Sequence, residues 1–311
     1  MRSIAVIGSL NMDIVNWVEK APLPGETIRA LATAYVPGGK GANQAVAAAR
    51  AGAMVEMIGG VGQDDYGEAL LENLRASGVR TEGVLLEPGV STGIAFITVD
   101  ALGENSIILA AGANGKLTPE KIGTEDRFAF RPDMVVLQNE IPYPTVAYAL
   151  TYFAAMEKYI IYNPAPALKL PEDDYRKINL LILNETEAAV LTGGAVGSAE
   201  EVRNAAEILV ECGCREVIIT LGGRGLFYRN RERNMMFFLN AFKVPVIDTT
   251  AAGDTFVGAY AAALAEGLPV REVLRFASAA AALTVTRKGA QTSIPERADI
   301  DLFLRDRQCR K

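Results

Sequence analysis

Short, strongly apolar runs alternate with helix-like stretches along most of this chain, and that alternation restricts the fold more than any other feature. Ser3–Gly8, Met54–Gly62, Asp133–Gln138, Lys158–Asn163, Asn179–Asn184 and Arg215–Gly223 read as strands, several running into glycine turns. Gly41–Gly52 and Asp64–Gly78 read as helices, each stopped by its last glycine. Strands apolar on both faces belong in a parallel sheet with helices on each side. The expected class is α/β, with a mainly parallel central sheet covered on both faces.

Two stretches break the rhythm. Residues 12–36 hold the runs MDIVNWVEK and TIRALATAYV around APLPGE, and residues 92–110 read as a hairpin about ALGE. They are expected to meet as a small sheet that lids a site and offers its outer face to a second copy. With no repeat or long linker, residues 1–311 read as one unit with that lid.

The chain contains no histidine, which removes Ser-His-Asp and Cys-His catalysis and histidine metal sites together. Acid–base work falls to Asp, Glu, Lys, Tyr or Cys. A net charge of −6 and no long basic run argue against nucleic-acid or anionic-membrane partners. Cys212, Cys214 and Cys309 form neither a CxxC pair nor a zinc knuckle. No run has the length of a signal peptide or a membrane span, so the expected setting is the reducing cytoplasm.

The segment DTTAAGDTFVGAY, residues 248–260, carries two aspartates around small residues. Pro245–Ile247 before it looks strand-like, and a helix from about Thr255 ends at Gly267. Unpaired amides at a helix start attract anions, and small residues let a phosphate approach them. A carboxylate there, Asp254, is either an N-cap or the acceptor of a proton from an attacking hydroxyl. PGGKGANQA, residues 37–45, is not a Walker A loop, since Gly41 follows Lys40 where Ser or Thr is required. GGVGQDDYG and GGRGLFY miss GxGxxG at Asp65 and Tyr228. The first glycine cluster and Asn43 suit either a polyhydroxylated ligand or a tight turn. Asn184 and Glu187 have capping-box spacing, and alternatively stand where a strand end can hold water on a magnesium ion. Thr220–Tyr228 is a glycine-rich hairpin or the floor of a nucleotide site. Residues 286–295, poor in large side chains, suit a monovalent cation.

Taken in order, GSLNMD, PGGKGANQA, GGVGQDDYG, STGIA, AAGAN, LQNEIP, NPAPA, NETEA, DTTAAGDTF and TRKGAQTSIP resemble the ribokinase family of ATP-dependent carbohydrate kinases over the full length. GGKGANQA with NPAPA is similar to the ribose-phosphorylating branch more than to the fructokinase or adenosine kinase branches. The resemblance implies transfer of phosphate from ATP to the primary 5-hydroxyl of D-ribose, giving ribose 5-phosphate and ADP. It implies Asp254 as base with the amides of Ala252 and Gly253 on the phosphate. Sugar contacts would be Asn11, Asp13, Gly39, Lys40, Asn43 and Glu140. Nucleotide contacts would be Asn184, Thr220, Gly222, Gly223, Gly225, Gly253 and Ser278, with Glu187 acting on Mg²⁺ and phosphate. An activating K⁺ would sit at Asp248 and Thr250, with Thr284, Arg287, Gly289 and Ser293. Apart from the resemblance, the lid strands themselves make a homodimer the expected assembly.

The chain departs from the family pattern at Val36-Pro37, at Val257 where Asn is frequent, and at Asn139 where an apolar residue is usual. The last two lie near matched site positions and leave the sugar more open than the reaction. The alternatives are a kinase for deoxyribose, a fructose-type sugar or an adenosine-like nucleoside, and a non-catalytic sugar-binding regulator.

Overall fold

The computed structural model describes residues 2–123 and 128–308, so Cys309 lies outside the described residues. Its first part runs β1 (Ser3–Ile7), β2 (Asn11–Trp17), β3 (Ala32–Gly38), α1 (Lys40–Arg50), β4 (Met54–Gly62), α2 (Asp65–Ala76), β5 (Val84–Glu87), β6 (Gly93–Val99) and β7 (Asn105–Ala110). Next come α3 (Pro119–Ile122), β8 (Met134–Leu137), α4 (Tyr143–Ala155), β9 (Tyr159–Tyr162), α5 (Glu172–Tyr175), β10 (Leu180–Asn184), α6 (Glu185–Thr192) and α7 (Ala199–Glu211). The strands β11 (Glu216–Thr220), β12 (Leu226–Asn230) and β13 (Met235–Leu239) follow, then α8 (Ala252–Ala265), α9 (Val270–Thr284) and α10 (Arg297–Gln308).

The larger sheet has nine strands in the order β13-β12-β11-β10-β9-β8-β1-β4-β5. All neighbours from β5 to β11 pair parallel, while β12 and β13 form an antiparallel edge. Alternate residues of β1 go to opposite layers: Ile4 and Val6 join the core under α1, α8 and α9, and Ala5 and Ile7 join the core under α4 and α7. That period of two on a strand buried on both faces is why its sequence reads as an unbroken apolar run. β1 is flanked by β4 on one side and β8 on the other, so the strand order reverses there. Ligand crevices in such sheets lie beyond the strand ends at this reversal.

A second sheet, order β3-β2-β6-β7, is built from the two irregular stretches. β2 and β6 run parallel at its centre, and β3 and β7 flank them antiparallel.

Three local expectations need correction. The glycines of Met54–Gly62 do not form a turn; the strand continues through them, and its last eight residues are buried. Residues 27–31 are not strand, because β3 begins only at Ala32. Pro245–Ile247 is coil: Ile247 N donates to the Val285 carbonyl instead of to a strand, and Val246 and Ile247 stay largely exposed. Among the described residues, no helix is long and apolar enough to cross a membrane.

Candidate active site

α8 begins earlier than its apolar pattern suggests, and this decides the position of Asp254. Its N-cap is Ala251, a non-glycine residue held at φ 59°, and no side chain caps the helix. Asp254 is therefore in the first turn and does not cap it. Its carboxylate turns to α1, where Oδ2 accepts from Asn43 Nδ2 at 2.9 Å and Oδ1 from Gln44 Nε2 at 3.0 Å. Close packing makes this reach possible: a Cβ on Gly258 would lie 2.4 Å from the Gln44 carbonyl oxygen. A Cβ on Gly253, by contrast, would meet no atom within 4 Å, so the first turn opens onto free space. The free amides of that turn and the helix dipole favour an anion there.

α1 starts from the glycine pair before it. Gly39 has φ 88°, and a Cβ on it would lie 2.7 Å from Asn11 N, so the turn can pass only as glycine. A Cβ on Gly38 would meet Asp13 Oδ2 at 2.2 Å, which leaves the carboxylate its place beside the turn. Glu140, just past β8, gathers the segment: Oε2 accepts from Ser9 Oγ at 2.6 Å, from Lys40 N at 3.1 Å and from Asn11 Nδ2 at 3.5 Å. Asn11 is set in turn by Asn114, whose Nδ2 donates to Asn11 Oδ1 at 2.8 Å.

Charge is concentrated at this point. Burial, then the nearby charges of Glu140 and Asp254, push the Asp13 carboxyl up to about 7, with Lys40 opposing. The Lys40 ammonium is held above its ordinary value, foremost by Asp254 and also by Glu140, Glu187 and Asp13, against its burial. Burial raises Glu187 too, offset by the Asn184 amide and Lys40. One cation thus sits among four carboxylates contributed by four separate chain segments. Asn43 Oδ1 is buried with no hydrogen-bond partner, an acceptor suited to a ligand hydroxyl.

Next to the first turn of α8 lies a cleft of about 450 Å³. Thr220, Gly222, Gly223, Gly225, Ala252, Gly253 and Ser278 line it, joining the β11–β12 turn to α8 and α9. Phe242, Val244, Val246, Ala281 and Val285 supply apolar walls. Asn184 and Glu187 are not part of that lining; they form the capping box of α6, with reciprocal bonds of 2.8 and 2.9 Å.

Asp248 serves a different region. Its Oδ1 accepts from Thr250 N and Thr250 Oγ1, and Oδ2 accepts from Gly289 N at 2.9 Å. These bonds hold its carboxyl below the usual range despite partial burial. Thr284 and Ser293 are buried on either side of the 284–293 loop, Thr284 Oγ1 donating to the Ala280 carbonyl and Ser293 Oγ to the Ala290 carbonyl. Arg287 packs elsewhere through its side chain, pairing with Asp299 at 2.9 Å.

Sequence reasoning passed over Ser9, Gln44, Asn114, Gln138 and Asn163, all of which support the candidate groups. All of them stand inside segments already singled out, but a polar residue within a motif gives no sign of its buried partner. The apolar walls of the cleft were also missed, since aliphatic residues there read as core.

The model for "pfkB family carbohydrate kinase" matches residues 1–297. The ribokinase of Bacillus subtilis is 42% identical over 306 residues, covering 98% of this chain and 100% of that one. A bifunctional ribokinase/ribose-5-phosphate isomerase A of Fructilactobacillus sanfranciscensis is 40% identical over 303 residues, 96% of this chain, which spans 56% of that protein's length. The deoxyribokinase of Salmonella typhi is 36% identical over 302 residues, with 97% and 98% covered. The structure of Arabidopsis thaliana ribokinase complexed with ribose and ATP superposes with a TM-score of 0.91 at 33% identity, covering 97% of this chain and 98% of that one. The chain belongs to the pfkB family of carbohydrate kinases.

Proposed function

We propose that this enzyme transfers the γ-phosphoryl group of ATP to the primary 5-hydroxyl of D-ribose, releasing ribose 5-phosphate and ADP. The observation that carries this reading is the setting of Asp254: a buried carboxylate, oriented by two amides, between the polar cluster of β1, β2 and α1 and the open first turn of α8.

Asp13, Asn43 and Glu140 bind sugar hydroxyls and fix their orientation, Asn43 through its unpartnered oxygen. Asp254 takes the hydroxyl proton as that oxygen attacks phosphorus in line. An alcohol is far less acidic than a carboxylic acid, so the proton leaves late, which a loose transition state permits. The amides of Ala252, Gly253 and Asp254 then stabilise charge on the migrating group. ATP occupies the cleft between the β11–β12 turn, Ser278 and the apolar wall. The second sheet acts as a lid on this single unit, carrying Asp13 on β2.

Glu187, at the start of α6 beyond the end of β10, would act on a magnesium ion held mainly by substrate phosphates and water. Bound there, Mg²⁺ would neutralise charge on the β- and γ-phosphates. The single carboxylate of Asp248 beside the 284–293 loop suits K⁺, to which Thr250, Thr284, Arg287, Gly289 and Ser293 would contribute oxygens.

The outer β-sheet favours a homodimer. In β7, Ile107, Ile108 and Leu109 are exposed, as are Phe96 on the adjacent β6 and Tyr35 on β3 at the opposite edge. We place the protein in the cytoplasm, without nucleic-acid or membrane partners.

Coupled ADP-release assays over pentoses, 2-deoxyribose, hexoses and nucleosides test the assignment. Ribose is expected to give the highest kcat/KM. Preference for 2-deoxyribose, as the deoxyribokinase relative would suggest, would move the substrate assignment; no ADP with any sugar would leave a binding protein.

A further inference from the structure

We infer that Gln44 is a positioning residue that holds the Asp254 carboxylate in place, with Asn163 fixing which end of its amide faces Asp254 and Gln138 closing the chain behind it. This role rests on Asp254 being the general base.

The polarity of the network starts from the backbone. The Ile182 carbonyl oxygen can only accept, so the Asn163 amide that donates to it at 2.9 Å must present its Oδ1 on the other side. Gln44 Nε2 gives one hydrogen to that Oδ1 at 3.0 Å and the other to Asp254 Oδ1 at 3.0 Å. Gln44 Oε1 accepts from Gln138 Nε2 at 2.7 Å. Turning the Gln44 amide over would set its oxygen against the oxygens of Asn163 and Asp254; Gln138, whose own Oε1 is buried without a partner, follows that setting. The chain of amides therefore always offers an N–H to Asp254.

Gln44 and Asn43 are neighbours with different freedoms. Both donate to Asp254, but Asn43 keeps a buried oxygen without a partner and is open to the sugar. Gln44 is 0% exposed and its Nε2 and Oε1 both have partners within the protein. It has no surface with which to touch substrate. With or without a sugar hydroxyl on Asn43 Oδ1, Gln44 keeps Asp254 Oδ1 occupied, which leaves Oδ2 to receive the proton. Buried chains of hydrogen bonds act together, so the setting of Asn163 reaches Asp254 through Gln44.

The test uses the full-length enzyme. Gln44→Met keeps the volume but removes donor and acceptor; kcat should fall roughly 10- to 100-fold, with KM for ribose and for ATP within about twofold of the parent. Gln44→Glu retains the acceptor for Gln138 and sets a second carboxylate against Asp254, so its kcat should climb more steeply with pH than the parent's across about pH 6 to 9. Gln138→Leu should cost kcat less than Gln44→Met, and the double variant should lose no more than Gln44→Met alone. Thermal unfolding of each variant reports the folded fraction. Gln44→Met turning over within about twofold of the parent would overturn the role, as would strictly additive losses. Should Gln44→Met not fold, the Gln44→Glu profile and the Gln138→Leu rate decide, a parental pH slope and parental kcat sinking the proposal. Asp254→Asn separates the two levels: if it stays active, the general-base reading fails, and if it is dead while Gln44→Met is active, only the positioning role fails.

Discussion

Asp248 and Asp254 stand on either side of one turn and share no hydrogen-bond partner: Asp248 binds Thr250 and the Gly289 amide, whereas Asp254 binds Asn43 and Gln44 on α1. Between them Ala251 bends the chain into α8 and Gly253 leaves its side free of protein atoms. Two carboxylates close in sequence are thereby assigned to separate regions, one to the 284–293 loop and one to the polar cluster. The following outcomes are expected.

Asp254→Asn should lower kcat by roughly 10²–10⁴ while ATP affinity, measured by titration calorimetry, stays near that of the parent. The amide keeps the volume and loses the proton acceptor. Near-parental turnover would remove Asp254 from the chemistry.

Asp13 should make the ligand-free protein less stable as pH rises. Its carboxyl titrates near 7 when folded against an ordinary 3.8, so the folded state holds a proton that the unfolded chain has released between those values. Stability then falls through that window and levels above it, by an amount on the order of a few kcal/mol. Melting temperatures from pH 5 to pH 8 should show a shallower decline for Asp13→Asn than for the parent; parallel curves would contradict the assignment.

Replacing potassium with a bulky organic cation should slow turnover several-fold. Asp248→Asn should shrink that difference, because the cation loses its one full negative ligand; either Thr250 N or Gly289 N also loses its acceptor, so the comparison is made between the two buffers for each protein. Equal rates in both buffers for the parent enzyme would exclude a cation role for this loop.

Light scattering after size-exclusion chromatography should report a homodimer. Successive residues of β7 face opposite sides of the sheet, so Ile107→Glu/Ile108→Glu together put a charge on each face and should yield monomer. A parent that runs as a monomer would leave those apolar side chains without the role proposed for them.

Much of this molecule is legible along the chain because its determinants are local. An apolar run of residues 3–7 declares a strand buried on both faces, and Asn184 with Glu187 declares a capping box, since each depends on neighbours within one turn or one strand. Glycine at 38 and 39 marks a tight approach before any partner is known. The absence of histidine removes whole mechanisms without any structure. What the chain alone left open is set by residues far apart. Whether Asp254 caps its helix or faces α1 depends on Ala251 adopting φ 59° and on Gly258 letting α1 come close, neither of which a local pattern encodes. Val246 and Ile247 look like strand residues by propensity, yet no neighbouring strand offers them a ladder, and Val246 lines the cleft instead. Local spacing determined the elements and the motifs. Only the tertiary packing determined which polar groups lost water and found each other, as Gln44 and Asp254 do across 210 residues, because desolvation and hydrogen bonding are properties of the assembled interior.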